Sequence, residues 1–215
     1  MSEMSILTKF NELYYAKKEQ TWKNTTWLGT PVHKNPCDMW VYQELIAKNR
    51  PDYIIETGTL FGGSALYLAN ICDMVGHGEI ITVDIRHREN RPEHARITYK
   101  TDSSISDDII ASVKYAVYDY PTKYQGTVMV ILDSDHQKIH VMKELELYSK
   151  IVTLGQYLIV EDTNINGHPS APGWGPGPME AVDEWLPKNK NFVCDESMEK
   201  LMLTFNPKGF LRRVK

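Results

Sequence analysis

The 215-residue sequence predicts an α/β protein with one mostly parallel, seven-stranded sheet that ends in an antiparallel hairpin and carries helices on both faces. Two observations predict this fold class. First, short apolar runs alternate with helical segments from residue 51 onward, and several runs are continuously apolar, as is typical of strands covered on both sides. Second, the C-terminal end holds strand-like runs with no helix between them.

The alternation defines five strands and four helices. The strands are predicted at residues 53–56, 79–84, 96–100, 127–133 and 157–162. The helices are predicted near residues 63–73, 105–118, 138–150 and 178–186. Because each helix returns the chain to the same edge of the sheet, successive strands are expected to be parallel.

The C-terminal end has a different pattern. The segments "NFVCDES" and "KLMLTF" both resemble strands, and the turn "NPKG" then leads into a last run, "FLRRV". A parallel sheet that finishes in an antiparallel hairpin is the plan of the seven-stranded class I methyltransferase fold. A dehydrogenase-type dinucleotide-binding domain has no reason to end in this way.

The chain is long enough for one domain with a full core. Residues 1–50 are predicted to form a helical extension that contributes to substrate binding or self-association, and residues 51–215 to form the methyltransferase domain. Within the extension, one helix is predicted from Ile6 to Lys18. A second, amphipathic helix is predicted to begin with Asp38 as its N-cap and to end just before the first strand.

Composition and charge favour a cytoplasmic protein with a small-molecule partner. The net charge of −4 is spread along the chain, whereas a protein that binds nucleic acid needs a basic surface. No apolar run approaches the roughly 20 residues that a membrane-spanning helix needs, and the N-terminus does not resemble a secretion signal. Cys37, Cys72 and Cys194 are scattered, which suggests packed thiols in a reducing compartment and neither a disulfide framework nor a zinc site.

A glycine-rich loop, "ETGTLFGGS" (residues 56–64), lies between the first strand and the helix that follows it. Backbone N–H groups in such a loop are free to contact a ligand. The loop lacks the spacing of a dinucleotide-binding motif, since Leu60 occupies the middle glycine position, and it lacks the lysine of a P-loop. A carboxylate beside a glycine turn suits a ligand with an ammonium group and no phosphate, and S-adenosylmethionine (SAM) fits this description.

Two further strand ends agree with a SAM site. Asp84 closes the second strand, where a carboxylate can accept both ribose hydroxyls, and Asp102 follows the third strand, where it can accept the adenine amine. Alternatively, the glycine loop is only a turn, and either aspartate is only a cap. The predicted SAM-binding residues are Glu56, Gly58, Thr59, Gly62, Ser64, Asp84, Asp102, Ser103 and Asp133.

Acidic side chains end the fourth and fifth strands: Asp133, and then Glu161 and Asp162. Burying three carboxylates together is costly unless a cation joins them, and oxygen ligands without cysteine favour Mg²⁺, Mn²⁺ or Ca²⁺ over zinc. Since neighbouring strand residues face opposite ways, the fifth strand must break into a loop for both Glu161 and Asp162 to bind the ion. Asp135, on the same short loop, is an alternative ligand that ranks below Asp133. If no ion binds here, Asp133 caps the helix that follows it, and Glu161 and Asp162 are solvated.

His136 is the candidate general base, because it lies three residues after Asp133 and can take a proton from a metal-bound hydroxyl. His168 is less well placed, in the Gly/Pro-rich loop of residues 167–178, which we expect to act as a partial lid. Three tryptophans either pack in the core or shape a substrate pocket: Trp22, Trp27 and Trp174.

Six motifs occur in order: "PCDMWVYQELI", "PDYIIETGTLFGGSALYLANI", "VILDSDH", "LIVEDTNINGH", "GPGPMEAV" and "FNPKGFLRRV". From about Trp27 to the C-terminus, the chain resembles the family named after cephalosporin hydroxylase, which is related to metal-dependent O-methyltransferases that act on macrolide sugars. The resemblance implies the seven-stranded methyltransferase fold, a homo-oligomer, and a small-molecule hydroxyl as acceptor. It also implies SAM at Glu56, Gly58, Ser64 and Asp84, Mg²⁺ on Asp133, Glu161 and Asp162, and a general base at His136.

The chain departs from the catechol-type methyltransferases in two places. Those enzymes carry Asp-Asn where this chain has Glu161-Asp162, and a lysine where it has His136. These two departures argue against a catechol as the substrate. A sugar hydroxyl, a polyketide hydroxyl or a phenol would each suit as the acceptor. Two interpretations from other classes stay open: a non-catalytic SAM-binding protein, and an oxygenase, although a non-haem iron site would use two histidines and one carboxylate.

Overall fold

The computed structural model describes residues 3–16, 20–119 and 124–215, and its main feature is a seven-stranded sheet. The strands are β1 (Tyr53–Thr57), β2 (Glu79–Asp84), β3 (Ile97–Thr101), β4 (Val128–Leu132), β5 (Tyr157–Val160), β6 (Phe192–Cys194) and β7 (Phe210–Arg213). Their order across the sheet is β6-β7-β5-β4-β1-β2-β3. Strands β1 to β5 are parallel, and β7 is antiparallel to both β5 and β6, which confirms the predicted fold class.

Helices cover both faces of this sheet. In the described ranges the α-helices are α1 (Glu3–Ala16), α2 (Pro36–Asn49), α3 (Gly63–Val75), α4 (Asp107–Val117), α5 (Lys138–Tyr148) and α6 (Pro178–Trp185). Short 3-10 helices form at Thr21–Lys23, Leu186–Lys188 and Glu196–Glu199, and the last of these lies where the sequence predicted no helix. Two-residue ribbons pair residues 26–27 with 30–31 and residues 118–119 with 124–125. Helices α4, α5 and α6 pack on one face of the sheet, and α2 and α3 pack on the other.

The strands contribute to both cores by simple alternation. In β1, Ile55 packs with the α4–α6 side and Ile54 with the α2–α3 side, and in β4 Val130 and Met129 divide in the same way. All four side chains have no exposed surface. This burial on both faces explains why the strands are continuously apolar in sequence.

The register brings the ends of several strands to one edge. Thr57 at the end of β1 lies opposite Val83 in β2 and Leu132 in β4, and Leu132 lies opposite Val160 in β5. The residues that follow β1, β4 and β5 therefore emerge side by side. Between β1 and β4 the strand order reverses, and such a switch point is where open α/β sheets form a ligand crevice.

The sequence predicted β1 to β5, and the four helices that follow β1, to within two residues at each end. The most informative boundary is that of β5, which ends at Val160. Asp162, two residues later, has a positive φ of 55°. Strand β5 therefore ends before Glu161. This is the break that the sequence analysis required for Glu161 and Asp162 to bind one ion.

Two local predictions were wrong. The segment "KLMLTF" forms no strand: it consists of turns, with Met202 at a φ of 65°, and β6 pairs directly with β7. The N-cap of α2 is Asn35, whose Oδ1 accepts a hydrogen bond of 2.9 Å from the N–H of Cys37. Asp38 is instead buried and accepts hydrogen bonds from Thr204 Oγ1 (2.6 Å) and Phe205 N (2.8 Å), so it anchors the segment that the sequence predicted to be a strand.

Two of the three tryptophans pack against neighbouring rings. Trp22 is buried, stacks on Tyr15 at 5.2 Å between ring centroids, and meets Phe205 edge-on at 5.6 Å. Trp27 meets Tyr67 edge-on at 4.8 Å. These contacts tie the N-terminal segment to the body of the protein.

The N-terminal helix begins earlier than predicted, at Glu3, and residues 17–18 of the predicted helix lie outside the described residues. Its exposed face carries Ile6, Phe10 and Leu13. Self-association and a domain boundary near residue 50 stay predictions. None of the helices in the described ranges combines the length and the apolar composition that crossing a bilayer requires.

The role of Asp38 leads to a stability prediction. Asp38→Ala leaves a buried hydroxyl and a buried N–H without an acceptor, so we expect the free energy of unfolding to fall by about 2–4 kcal/mol. Asp38→Asn keeps one acceptor oxygen and should lose about half as much. Urea unfolding measures both, with the exposed Asp107→Ala as a control that changes stability by about 0.5 kcal/mol. Equal losses for Asp38→Ala and Asp107→Ala would contradict this role.

Candidate functional site

The glycine loop after β1 is shaped by close backbone contacts. Gly58 has a φ of +90°, and a Cβ atom there would lie 1.8 Å from the carbonyl oxygen of Asp133. A Cβ atom at Gly63 would lie 2.2 Å from the carbonyl oxygen of Pro31. Glycine at these two positions therefore lets the loop after β4 and the segment before α2 approach the loop. At Gly62, with a φ of +82°, only glycine avoids backbone strain.

One crevice contains both the loop and the first acidic residue of the predicted ion site. Its lining includes Lys34, Gly58, Thr59, Ser64 and Asp133. Predicted SAM-binding residues and a predicted metal ligand therefore share one space. That space lies beyond the carboxyl ends of β1 and β4, where the sequence analysis placed the ligand, and binding of SAM there stays a prediction.

Glu56 is fully buried beneath this crevice. Its Oε2 accepts a hydrogen bond of 2.7 Å from Thr82 Oγ1, which in turn lies 2.6 Å from Thr59 Oγ1. Its Oε1 has no hydrogen-bond partner in the described structure and lies 4.0 Å from Lys34 Nζ. Burial raises the pKa of Glu56, although Lys34 opposes the shift. A buried carboxylate oxygen that accepts no hydrogen bond and has its nearest cation at 4.0 Å fits a ligand with a cationic group.

Asp84 is held by the loops around it. Its Oδ2 accepts a hydrogen bond of 2.7 Å from the N–H of Leu60 and forms an ion pair of 3.0 Å with Arg91 Nη2. Its Oδ1 accepts a hydrogen bond of 2.8 Å from the N–H of Arg86. The structure thus places Asp84 next to the glycine loop. These contacts join the loops that follow β1 and β2.

Asp102 and Ser103 lie at the start of the turn before α4. Asp102 Oδ1 accepts from the N–H of Ser103 (2.6 Å), and its Oδ2 accepts from Ser106 Oγ (3.1 Å). These contacts agree with the alternative that Asp102 caps a turn. Contact of Asp102 or Ser103 with adenine stays a prediction.

Three side chains that can bind a cation converge beyond β4 and β5. Ligand atoms of Asp133, His136 and Asp162 all lie within 4.8 Å of one another. His136 Nε2 is 3.2 Å from Asp162 Oδ2. The sequence predicted Asp133 and Asp162 as ligands and His136 at the edge of the site, and the structure brings these three residues together.

Glu161, the third predicted ligand, is engaged with two other side chains. It is 5% exposed, and its Oε1 accepts hydrogen bonds from Lys34 Nζ (2.5 Å) and Tyr42 OH (2.9 Å). Lys34 Nζ also donates to Asp133 Oδ2 at 2.7 Å. Lys34 therefore joins Glu161 to Asp133, and a cation already takes part in the acidic cluster.

A second layer of polar groups supports this arrangement. Asn206 Nδ2 donates to Tyr42 OH at 2.8 Å, and Asn206 Oδ1 accepts from the N–H of Asp162 at 3.1 Å. Both Tyr42 and Asn206 have no exposed surface. The turn before β7 thus fixes the backbone of Asp162 and the hydroxyl that contacts Glu161.

The carboxylates and the histidine have shifted proton affinities. Burial, together with the neighbouring Asp133, raises the pKa of Glu161 to about 7, although Lys34 and Tyr42 oppose the shift. Burial also raises the pKa of Asp133. Burial alone lowers the pKa of His136, but the carboxylates of Asp162 and Asp133 outweigh it, and the pKa lies above its usual range. The site therefore favours bound cations and bound protons.

The Gly/Pro-rich loop lies next to His136. The Trp174 ring is 6.3 Å from the His136 ring, and 45% of the Trp174 side chain is exposed. The loop is fastened to Glu180 in α6, which accepts hydrogen bonds from Asn166 Nδ2 (2.8 Å) and Gly177 N (2.7 Å) and lies 2.9 Å from His168 Nε2. His168 thus serves the loop anchor, and a partial lid stays a prediction.

Sequence reasoning missed Lys34, Tyr42 and Asn206. Lys34 belongs to the polar stretch "VHKNP", which reads as an exposed loop, and its partners lie 99 and 127 residues away. The only local signal is the Asn35 cap, which fixes where α2 begins. No spacing in the sequence indicates that this lysine is buried.

The sheet order, with its switch-point crevice and its C-terminal antiparallel strands, defines the class I methyltransferases. A family model described as Rhamnosyl O-methyltransferase/CmcI matches residues 19–214. The chain belongs to this family, as the six sequence motifs indicated, and it is an O-methyltransferase.

Curated relatives of similar length carry the name of this family. A rhamnosyl O-methyltransferase of Mycobacterium tuberculosis (strain H37Rv) is 37% identical over 215 residues, covering 97% of this chain and 85% of the relative. The Mycobacterium leprae protein of the same name is 36% identical over 214 residues, covering 97% and 91%.

Two of the similar solved structures are of CmcI. An apo structure has a TM-score of 0.67 at 18% identity, covering 90% of this chain and 77% of that chain. A structure with Mg and SAM has a TM-score of 0.65 at 20% identity, covering 90% and 78%. At these identities the likeness shows the fold.

The close approach at Gly58 leads to a prediction. Gly58→Ala places a methyl group against the Asp133 carbonyl, so the loop after β4 must move, and we expect a loss of stability about 2 kcal/mol greater than for Gly173→Ala. Gly173 is the matched control, because it has a similar φ of +86° and open space around it. Chemical unfolding of both variants tests this, and equal losses would show that backbone strain alone matters.

Proposed function

We propose that this protein transfers a methyl group from SAM to a hydroxyl of a small molecule, with the help of a divalent cation. The observation that carries the proposal is that Lys34 Nζ lies 4.0 Å from Glu56 Oε1 and 2.7 Å from Asp133 Oδ2, so that Glu56 and the group of Asp133, His136 and Asp162 share one edge of the sheet. One half of the crevice suits a cationic donor and the other suits a metal ion. A methyltransferase that activates a hydroxyl needs both.

The donor half consists of the glycine loop and the residues below it. The Oε1 of Glu56, which accepts no hydrogen bond in the described structure, suits the ammonium group of SAM. Ser64 is buried at the start of α3, where helix N–H groups favour a carboxylate. Asp84, fixed beside Leu60, is placed for the ribose. Contacts with Gly58, Thr59, Gly62, Asp102 and Ser103 are part of the same proposal.

The acceptor half consists of the acidic residues beyond β4 and β5. Asp133, Glu161 and Asp162 are the residues that would hold Mg²⁺ or a similar ion, and carboxylates without cysteine suit such a hard cation. When bound, the ion supplies Lewis-acid polarisation of the acceptor hydroxyl and SAM supplies the methyl group. Burial raises the pKa of Asp133 and of Glu161, and a bound cation would favour the charged form of both carboxylates.

His136 is the proposed general base. Its Nε2 lies 3.2 Å from Asp162 Oδ2, so a proton that the ring accepts is shared with a carboxylate. Trp174 lies beside the ring and can exclude water from this side. Much of the rate is expected to come from holding the donor and the acceptor in line, since the chain has few groups that react directly.

A sugar hydroxyl is the acceptor class that we favour. The curated relatives at 36–37% identity are named as rhamnosyl O-methyltransferases. A rhamnoside with a free vicinal diol is therefore the first acceptor to assay, before polyketide hydroxyls and phenols. Calorimetry with SAM, with and without Mg²⁺, followed by an assay of methyl transfer to these acceptors, tests the proposal.

An oxygenase is the less supported alternative. A non-haem iron site uses two histidines and one carboxylate, whereas the group found in the described residues has one histidine and two aspartates. Consumption of oxygen with Fe²⁺, without methyl transfer, would support the oxygenase.

The ligand assignment leads to a prediction. Asp133 was predicted both as a SAM-binding residue and as a metal ligand, and its grouping with His136 and Asp162 favours the second role. Asp133→Asn should therefore lower kcat by about 10³-fold or more while SAM affinity changes by less than about threefold. EDTA should inhibit the wild type to a similar degree. Asp135→Asn is the matched control: its carboxylate is exposed and bonds only to Gln137 N (2.9 Å) in the described structure, so its activity should stay near wild type. Activity that is lost in Asp135→Asn and kept in Asp133→Asn would assign the metal ligand to Asp135 instead.

The proposed base leads to a second prediction. His136→Gln should lower kcat by about 10²–10⁴-fold while SAM binding is kept. Because carboxylates hold the pKa of His136 above its usual range, activity of the wild type should fall as the pH drops through that raised value, and the variant should lose this limb. His168→Gln is the control and should keep the wild-type profile. An unchanged acidic limb in His136→Gln would exclude His136 as the base.

A further inference from the structure

Lys34 is the buried cation of the crevice. The side chain is 3% exposed, and its Nζ lies 2.5 Å from Glu161 Oε1, 2.7 Å from Asp133 Oδ2 and 4.0 Å from Glu56 Oε1. One ammonium group thus contacts the first residues after β4 and β5 and lies 4.0 Å from Glu56, the penultimate residue of β1. It stands between the proposed donor half and the proposed ion half of the site.

The backbone around Lys34 is held on both sides. On one side, the N–H of Val32 donates to the carbonyl of Thr25 (3.0 Å), and Thr25 Oγ1 donates to the carbonyl of Val32 (2.6 Å). On the other side, Asn35 caps α2. Hydrogen bonds on both sides of Lys34 therefore hold the segment that places its side chain in the crevice.

The ammonium is charged in this place. Carboxylate oxygens of Asp133 and Glu161 lie 2.7 and 2.5 Å from Nζ, and two carboxylates this close favour the charged form of a lysine. A divalent cation on Asp133 and Glu161 would use the same two carboxylates. Two cations that share the same ligands in a buried site repel each other strongly, since there is little water to screen them.

We propose that Lys34 competes with the divalent cation for Asp133 and Glu161. Its ammonium neutralises the buried carboxylates and stabilises the fold, and it has to give way, at least in part, when the ion binds. Lys34 is thus a positioning residue that weakens ion binding and makes it reversible. This inference rests on the proposed function, because it requires an ion site at these residues.

The test is titration of the full-length protein with MgCl₂ by calorimetry, with Lys34→Met as the principal variant. Removing the competing charge should tighten Mg²⁺ binding by about tenfold or more. The same variant should melt at a lower temperature than the wild type in EDTA and should gain more from saturating Mg²⁺. Lys34→Gln, which keeps a hydrogen-bond donor without the charge, should shift affinity in the same direction and replaces Lys34→Met if that variant does not fold.

Two controls separate charge from packing. Lys34→Arg keeps the positive charge and should not tighten Mg²⁺ binding. Lys200→Met removes a lysine that pairs with Glu44 at the surface, and it should leave Mg²⁺ affinity unchanged.

The outcomes distinguish this inference from the proposed function. If the wild type binds Mg²⁺, and Lys34→Met and Lys34→Gln bind it equally well or more weakly, the proposed competition is overturned and the ion site is kept. Absence of Mg²⁺ binding in the wild type and in both variants would overturn the proposed ion site and the competition with it.

Discussion

Compensation of buried negative charge is the constraint on which this site depends. Glu56 and Glu161 are 0% and 5% exposed, and Asp133 is 19% exposed at the side chain. An unpaired buried carboxylate costs several kcal/mol, so a fold that gathers three of them must also bring cations to the same place. Lys34 meets part of this need, and its contacts explain why the segment before α2 lies across the ends of the strands.

The loops at the carboxyl ends of β1 and β4 are packed closely, backbone against backbone. Gly58 lets the carbonyl of Asp133 approach the loop after β1, and Gly63 lets the carbonyl of Pro31 approach the start of α3. The first contact sets the distance between the donor half and the acceptor half of the crevice. The second brings the segment that carries Lys34 onto the loop. The glycines thus determine the geometry of the site even before a ligand is considered.

Much of the fold and part of the candidate site follow from local sequence. Alternating apolar runs and helices predict a parallel sheet, and a parallel sheet places all its carboxyl ends at one edge. Asp84, Asp133, Glu161 and Asp162 therefore stood out because each closes a strand or follows one directly. The break after Val160, which lets Glu161 and Asp162 serve one site, was also readable from the polar residues that follow them.

The remaining features depend on contacts between distant parts of the chain. Lys34 and Tyr42 reach Glu161 across 127 and 119 residues, and Asn206 reaches Tyr42 across 164. No local pattern records such pairings. The segment "KLMLTF" shows the opposite problem: its apolar residues suggested a strand, but Phe205 is buried against Trp22 and its backbone N–H is bound by Asp38. Tertiary contacts here override the local preference.

The central claim is that one crevice holds the donor and a divalent ion side by side. A crystal structure with SAM and Mn²⁺, using the anomalous signal of manganese, tests it most directly. We expect one anomalous peak among Asp133, Glu161 and Asp162, with the sulfonium methyl facing it and Lys34 shifted from at least one carboxylate. A peak elsewhere, or SAM outside the glycine loop, would contradict the account.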